Sequence, residues 1–290
     1  MRLAIGIATR GRAAVLGEVL ADLAQQTRQP DRLVVCHVGP EDVAELSTRF
    51  PGVAFLTAPA GLPRQRNAIL DAVADCDAVL FLDDDFLPSP DYLGVTERVF
   101  AAHPDCVVTT GMVIADGAKG PGISVAEGRA MLAADSHAGD PMAAVPHFNG
   151  YGCNMALRLA PMRAHGLRFD EQLPLYGWYE DLDLTRRLGA HGSILRLAGA
   201  RGVHLGTKSG RVPGTKLGYS QVANAIYLAR KGCYPWNRAL RSAGRHLAMN
   251  GLRSLRPEAH VDRAGRLRGN LIALADLLRG RMHPMRVLDL

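Results

Sequence analysis

Over the first eighty or so residues the apolar positions follow two alternating periods. Arg2 to Ala8 is an apolar run of strand length, Ala13 to Gln26 carries its apolar residues at helical spacing, and Arg32 to Val38 is again a β-branched apolar run. The rhythm repeats with Val53 to Thr57 as a strand, Arg64 to Ala74 as a helix, and Asp77 to Leu82 as a buried strand that ends abruptly in acids. Apolar strands alternating with helices imply an α/β chain with a mostly parallel sheet flanked by helices. Downstream the pattern loosens. Val107 to Ile114 predicts a strand, Asp116 to Gly122 a glycine-rich turn, Ser124 to Ala134 a helix and Gly139 to Pro146 a loop. A helix is expected to start at Glu180 and run through Leu188, with short strands at Ile194 to Leu197 and Gly202 to Leu205. Gly206 to Gly218 has the glycines and proline of a flexible basic loop. From Tyr219 onward the spacing is helical, broken at Pro235, Pro257 and Pro284. The expected division is an α/β domain over 1–218 and a basic helical extension over 219–290.

Charge sharpens that division. The net charge of +6 hides a front of −8 over residues 1–190 and a back of +14 over 191–290, where 18 Lys and Arg face 4 acids. Such a basic segment attracts phosphates of a substrate, a nucleic acid or an anionic membrane, or it simply presents solvated arginines. The tail holds Tyr234 and Trp236 but no nucleic-acid-binding motif, and the acidic front repels a phosphate backbone, so no nucleic-acid partner is expected. Leu240, Leu247, Leu252, Leu255, Leu271, Leu274, Leu277 and Leu278 recur among the arginines, giving helices that either pack on the domain or lie on an anionic membrane surface. No run approaches the ~18 apolar residues of a membrane span, and the N-terminus lacks a signal-peptide core. The expectation is a cytoplasmic chain, with peripheral contact at the inner membrane surface as the membrane alternative. Five scattered cysteines without a CxxC pair suggest neither a disulfide framework nor a zinc site.

Chemistry concentrates at two places. Asp83-Asp84-Asp85 directly follows Val79-Leu80-Phe81-Leu82, so a buried strand delivers three carboxylates to the sheet rim, where ligands of open α/β sheets sit. Their repulsion raises their pKa values unless a cation intervenes, and hard oxygen ligands suit Mg²⁺ or Mn²⁺ shared with a diphosphate. A helix N-cap with surplus acids is the plain structural alternative, but Pro88 and Pro90 argue against it. The second place is Tyr176-Gly177-Trp178-Tyr179-Glu180-Asp181-Leu182-Asp183, where aromatic side chains crowd acids at a helix start. A carboxylate there can serve as a general base, and an aromatic floor can stack on a sugar ring.

At these motifs the chain resembles the family 2 glycosyltransferases. Thr9-Arg10-Gly11-Arg12 is similar to the turn after the family's first strand, Gln26-Thr27-Arg28-Gln29-Pro30 to its Gln-Thr-x-x-Pro segment, and Gly61 through Arg66-Asn67 to its Gly-x-x-x-x-Arg-Asn segment. Asp83-Asp84-Asp85 matches the family's DxD motif, Gly152-Cys153-Asn154 through Arg158 its acceptor-side segment, and Glu180-Asp181 its Glu-Asp motif. The resemblance extends over about residues 2–205. It implies a GT-A, Rossmann-like fold and an inverting transfer from a nucleoside-diphosphate sugar to a hydroxyl of a saccharide or lipid-linked acceptor, in the manner of relatives that build surface polysaccharides. It implies that Thr9, Arg10, Arg12, Arg66, Asn67, Asp83 and Asp84 line the donor site, that Asp85 with His204 holds the divalent cation, and that Asn154, Trp178 and Glu180 face the acceptor. Asp181 is the implied base. One departure stands out: His37 and Val38 occupy the positions of the family's base-reading acids, leaving Asp42 or His37 to compensate. Lys208, Arg211 and Lys216 could close over the diphosphate. A metal-dependent nucleotidyltransferase and a non-catalytic sugar-nucleotide-binding protein of the same fold are the alternatives.

Overall fold

In the computed structural model, which describes residues 1–136, 139–209, 212–256 and 258–290, the apolar runs become nine strands. They are β1 (Leu3–Ala8), β2 (Arg32–His37), β3 (Ala54–Thr57), β4 (Ala78–Asp83), β5 (Phe86–Pro88), β6 (Cys106–Asp116), β7 (Ala144–Pro146), β8 (Asn154–Arg158) and β9 (Ser193–His204). The sheet order is β3-β2-β1-β4-β8-β6-β9-β5, with β7 also on β9. The four strands of the alternating first half pair in parallel. Beyond β4 the sheet is mixed: β8 runs antiparallel to β4 and β6, while β6 and β9 are parallel. Helices α1 (Ala13–Leu23), α2 (Leu46–Arg49), α3 (Leu62–Ala72), α4 (Tyr92–Ala102), α5 (Val125–Ala134) and α6 (Leu159–Ala164) accompany it.

Residues Met1–Ala60, Arg64–Arg168 and Arg187–Gly210 make up this first unit. Its core joins Leu16, Val19, Leu20 and Leu23 of α1, one helical face, to Leu3, Ile5 and Ile7 of β1 and to Leu80 and Leu82 of β4. Burying each such side chain contributes about 1.5–3 kcal/mol. The apolar run of β4 therefore anchors the acids at its end, which alone have no preference for the fold. Helix α5 starts at a reciprocal capping box in which the Glu127 N–H donates to Ser124 Oγ and the Ser124 N–H to the Glu127 carboxylate.

Three departures from the sequence pattern matter for the site. The two strands expected at 194–197 and 202–205 are one twelve-residue strand, β9. Ala198-Gly199-Ala200 has the composition of a turn, but Gly199 is there for packing: a Cβ on it would lie 2.3 Å from the Pro141 carbonyl oxygen. Strands β5, β7 and β8 are too short, or too rich in glycine at their approach, to show a period of two. Finally, the expected basic loop ends early, because a helix begins at Gly214 and takes Lys216 into its first turn.

The second unit comprises Gly61–Pro63, Phe169–Arg186 and Arg211–Leu290. It contains the first turns of α7 (Glu180–Leu188) and the helices α8 (Gly214–Arg230), α9 (Trp236–Ser254) and α10 (Arg263–Leu278). Pro235 is the N-cap of α9 and Pro284 opens a final 3₁₀ turn, while Pro257 lies outside the described residues. Tyr219, Val222, Ala223 and Ile226 of α8 pack with Ala273, Met282 and Val287. Inside this apolar contact Asn250 donates to Gln221 and Asn270, and Asn270 donates to the Gly218 carbonyl at 2.6 Å. A buried amide network of this kind fixes the register of three helices, since any slip leaves amides without partners.

Candidate active site

The three acids at the end of β4 meet three different environments in the first unit. Asp84 is buried and accepts from Thr9 Oγ1 at 2.7 Å and from Arg12 Nη1 at 2.9 Å. Burial pushes its carboxyl up to about 6 against the pull of Arg12. Asp83 is the most open of the three and accepts from Arg66 Nη2 at 3.2 Å. Asp85 is buried; its Oδ2 accepts from the Thr207 N–H at 2.7 Å, while Oδ1 has no hydrogen-bond donor in good geometry and faces His204 Nε2 at 3.4 Å. Burial alone would raise the Asp85 carboxyl, yet the imidazole of His204 holds it down at about 2.

His204 reaches this point because β5, only two residues past β4, pairs Phe86 directly with it at the end of β9. Its Nδ1 lies 2.9 Å from Asp116 Oδ1, and its Nε2 is 3.8 Å from Asp83. Burial opposes its charge, but Asp116, Asp85 and Asp83 hold its pKa up to about 10. One ligand atom each from Asp83, Asp85 and His204 lies within 4.8 Å of the others. The cluster fits a hard divalent cation: it offers two carboxylate oxygens and an imidazole nitrogen, one of the oxygens buried without a donor. The imidazolium supplies the positive charge that a metal would bring, so metal binding would release its proton.

The loop after β9 is shaped by the same residues. Gly206 turns with φ 65°, and a Cβ there would come within 2.2 Å of the Gly117 backbone. The turn aims the Thr207 N–H at Asp85, and Arg12 Nε and Nη2 donate back to the carbonyls of Ser209 and Thr207. Lys208 Nζ donates to the Gly117 carbonyl at 3.0 Å. Lys216 donates weakly to the Leu288 carbonyl at 3.4 Å from within α8, and Arg211 lies outside the described residues.

Other sequence candidates have visible partners. Arg66, 1% exposed, donates to the Gly152 carbonyl at 2.6 Å and lies over the Phe81 ring, so it fixes Asp83 from behind. Asn67 is buried beside it on α3, and Arg10 is exposed at the rim. Both carboxylate oxygens of Asp42 accept backbone N–H groups, from Gly11 at 2.6 Å and from Val38 and Gly39 at 2.9 Å, and these hold its pKa down against burial. It therefore shapes the rim loops, with His37 Nδ1 2.9 Å from the Gly39 carbonyl. Asn154 is wholly buried at the start of β8, where its Oδ1 accepts from Thr110. Two residues escaped sequence reasoning. Gln65 ties the ends of β1 and β2 through the Thr9 and Cys36 carbonyls, and Asp116 orients His204. Gln65 looked like an ordinary helix position, and Asp116 belonged to a turn signal.

The Glu180-Asp181 motif lies in the second unit. Tyr176, Trp178 and Tyr179 form an aromatic chain, with Trp178 centred 5.3 Å from Tyr179 and 5.6 Å from His246. Tyr179 takes φ 73°, costly for an aromatic residue, and its hydroxyl lies 2.5 Å from Ser242 Oγ. Asp183 is fully buried and bound by Lys231, which also bridges to Asp170 at 2.6 Å. Asp183 Oδ1 additionally accepts from Cys233 Sγ. Glu180 is buried as well, whereas Asp181 is only half-buried, one turn before Thr185, which donates to its carbonyl.

The Glycosyl transferase family 2 profile matches residues 4–138. Residues 4–138 are a glycosyl transferase family 2 domain. No curated protein matches the chain in sequence. Among solved structures, S. aureus TarS 1-349 in complex with UDP is similar at 16% identity and a TM-score of 0.57, over 89% of this chain and 76% of that one. The mannosyltransferase PcManGT from Pyrobaculum calidifontis, in complex with GDP-Man and Mn²⁺, is similar at 13% identity and a TM-score of 0.54, over 99% and 85%. GalNAc-T7 with UDP, GalNAc and Mn²⁺ follows at 12% and 0.54, over 70% and 42%. The match spans 65% of another S. aureus TarS 1-349 structure and 39% of the longer TarS chain. At these identities the likeness establishes the GT-A fold of the family 2 domain.

Proposed function

We propose that the protein is an inverting glycosyltransferase that takes a sugar from a nucleoside-diphosphate donor held with Mn²⁺ or Mg²⁺ and passes it to a hydroxyl of a saccharide or lipid-linked acceptor. The observation that carries this reading is the Asp83, Asp85 and His204 cluster at the rim of a family 2 domain. The nucleotide-sugar and Mn²⁺ complexes of TarS, PcManGT and GalNAc-T7 support it.

Asp83, Asp85 and His204 would hold the cation, which supplies charge neutralisation for the leaving diphosphate. Thr9 and Arg12 keep Asp84 in place, and Arg12 sets the loop that presents the Thr207 N–H. Arg10, Asn67 and Asp42 border the donor side, and Asn154 supports the rim from the core. Asp181 takes the proton from the acceptor hydroxyl as that oxygen attacks the anomeric carbon, which inverts configuration. Glu180 and Trp178 shape the acceptor side, with Trp178 and Tyr176 as the stacking surface for a sugar ring.

The test is nucleoside diphosphate release from UDP-, GDP- and dTDP-sugars with Mn²⁺ or Mg²⁺. One donor is expected to turn over metal-dependently, with Asp85→Ala removing the metal response and Asp181→Asn lowering transfer by about 10²–10⁴-fold. Pyrophosphate release would make the protein a nucleotidyltransferase. Donor binding without turnover, with any acceptor offered, would make it a binding protein.

A further inference from the structure

The C-terminal helices carry two adjoining apolar stripes. On α9, Leu240, Leu247, Gly251 and Leu255 recur at helical spacing, and on α10 so do Ala264, Leu267, Leu271, Ala275 and Leu278. The stripes meet where Leu267 Cδ1 lies 4.0 Å from the position of a Cβ on Gly251. A groove of about 570 Å³ opens there, lined by Ser254, Leu267, Leu271 and Ile272. Leu252, Leu255 and Leu278 are 72%, 81% and 89% exposed. Single exposed leucines are ordinary, but Leu240, Leu255, Leu271 and Leu278 exposed along adjoining stripes, with Leu252 beside them, mark an interaction face.

The same helices and the turns that follow them hold arginines of two kinds. Arg253, Arg263, Arg281 and Arg286 are paired with Glu258, Asp276 or Asp289. Arg241, Arg245, Arg256, Arg268 and Arg279 form no ion pair among the described residues. Apolar stripes bordered by uncompensated guanidinium groups suit one kind of surface. We propose that this face docks on an anionic lipid bilayer, with the leucines at the acyl boundary and the arginines on lipid phosphates.

Charge selects this occupant. A second copy of the same face would bring like charges together, and a nucleic acid gives the exposed leucines no apolar partner. A bilayer interface accepts both groups at once, and a helix lying in its plane keeps its own backbone hydrogen bonds. Trp236, half-exposed at the start of α9, has the amphipathic ring favoured at headgroup level. No helix among the described residues is long and apolar enough to cross a membrane, so the contact is peripheral. This inference concerns where the enzyme works and does not depend on the transfer reaction.

Flotation of the full chain with phosphatidylcholine vesicles, with and without phosphatidylglycerol, tests it. Binding is expected only with phosphatidylglycerol and should weaken as salt rises. Each arginine near the surface strengthens binding roughly fivefold, so Arg241→Gln with Arg268→Gln should weaken it about 25-fold. Combining Leu252→Ser, Leu255→Ser and Leu278→Ser should weaken it at least about tenfold, with melting temperature unchanged. Equal binding to neutral vesicles, or no binding to either, overturns the proposal. So does full binding by the leucine variant, which would leave only charge attraction, and so does a dimer in sedimentation that this variant dissolves.

Discussion

At the scale of single residues, the site is defined by what holds His204. Its Nδ1 points at Asp116, so Nε2 faces Asp85 and Asp83. A carboxylate behind a histidine ligand fixes tautomer and ring orientation, and losing it typically costs 10–100-fold in metal affinity. Asp116→Asn is therefore expected to weaken Mn²⁺ binding by about that factor in titration calorimetry, with thermal stability near wild type. Unchanged affinity would reduce Asp116 to the cap of the following turn, where it accepts the Ala118 N–H. Sequence alone made the acids at the end of β4 legible because an apolar strand runs straight into them. It could not show that Asp84 is tied to Thr9 and Arg12 while Asp85 meets the histidine, since three successive carboxylates differ only in their surroundings. Asp42 illustrates the same limit: its position suggested base recognition, and the fold gives it three backbone N–H groups.

At the scale of elements, alternation of periods made the parallel half of the sheet legible, and it failed where strands are short or carry glycine for packing. Strand β9 is the consequential case, because its full length is what brings His204 beside Phe86. The turn that follows depends on Gly206. Gly206→Ala must add a Cβ in a left-handed backbone, at a cost of about 1–2 kcal/mol before the collision with Gly117 is counted. It should lower the melting temperature and weaken Mn²⁺ binding together, because the Thr207 N–H then leaves Asp85. Wild-type values for both would show that the turn tolerates a side chain. Helix α9 makes a prediction of another kind. Burial, then the charges of Arg266, Arg245 and Arg263, lower the pKa of His246 to about 4, against 6.5 for an ordinary imidazole. The unfolded chain thus binds a proton between those values and the folded chain does not, so stability falls as pH drops from about 6.5 to 4. The loss should be on the order of 2–3 kcal/mol. Urea melts across that range should show it, and His246→Gln should flatten the slope; an unaltered slope would assign the acid sensitivity elsewhere.

At the scale of the whole molecule, the acidic front includes the carboxylates at the end of β4, and the basic back includes the arginines of the last helices and turns. Charge could not reveal which arginines are compensated, because the pairing of Arg281 and Arg286 with Asp276 depends on how the last helix ends. The distribution of thiols has a practical consequence. All five cysteines are reduced; Cys36, Cys76, Cys106 and Cys153 are buried in the first unit, and burial pushes Cys36 and Cys106 up to about 11. Cys233 alone is partly accessible, at the turn between α8 and α9 where its Sγ touches Asp183. A maleimide reagent applied to the native protein is thus expected to modify one site, identified by intact mass, and the other four only after denaturant is added. The protein carries its own address for a single fluorophore, placed beside the Asp183 and Lys231 ion pair, so labelling kinetics give a direct clock for opening of that helical turn.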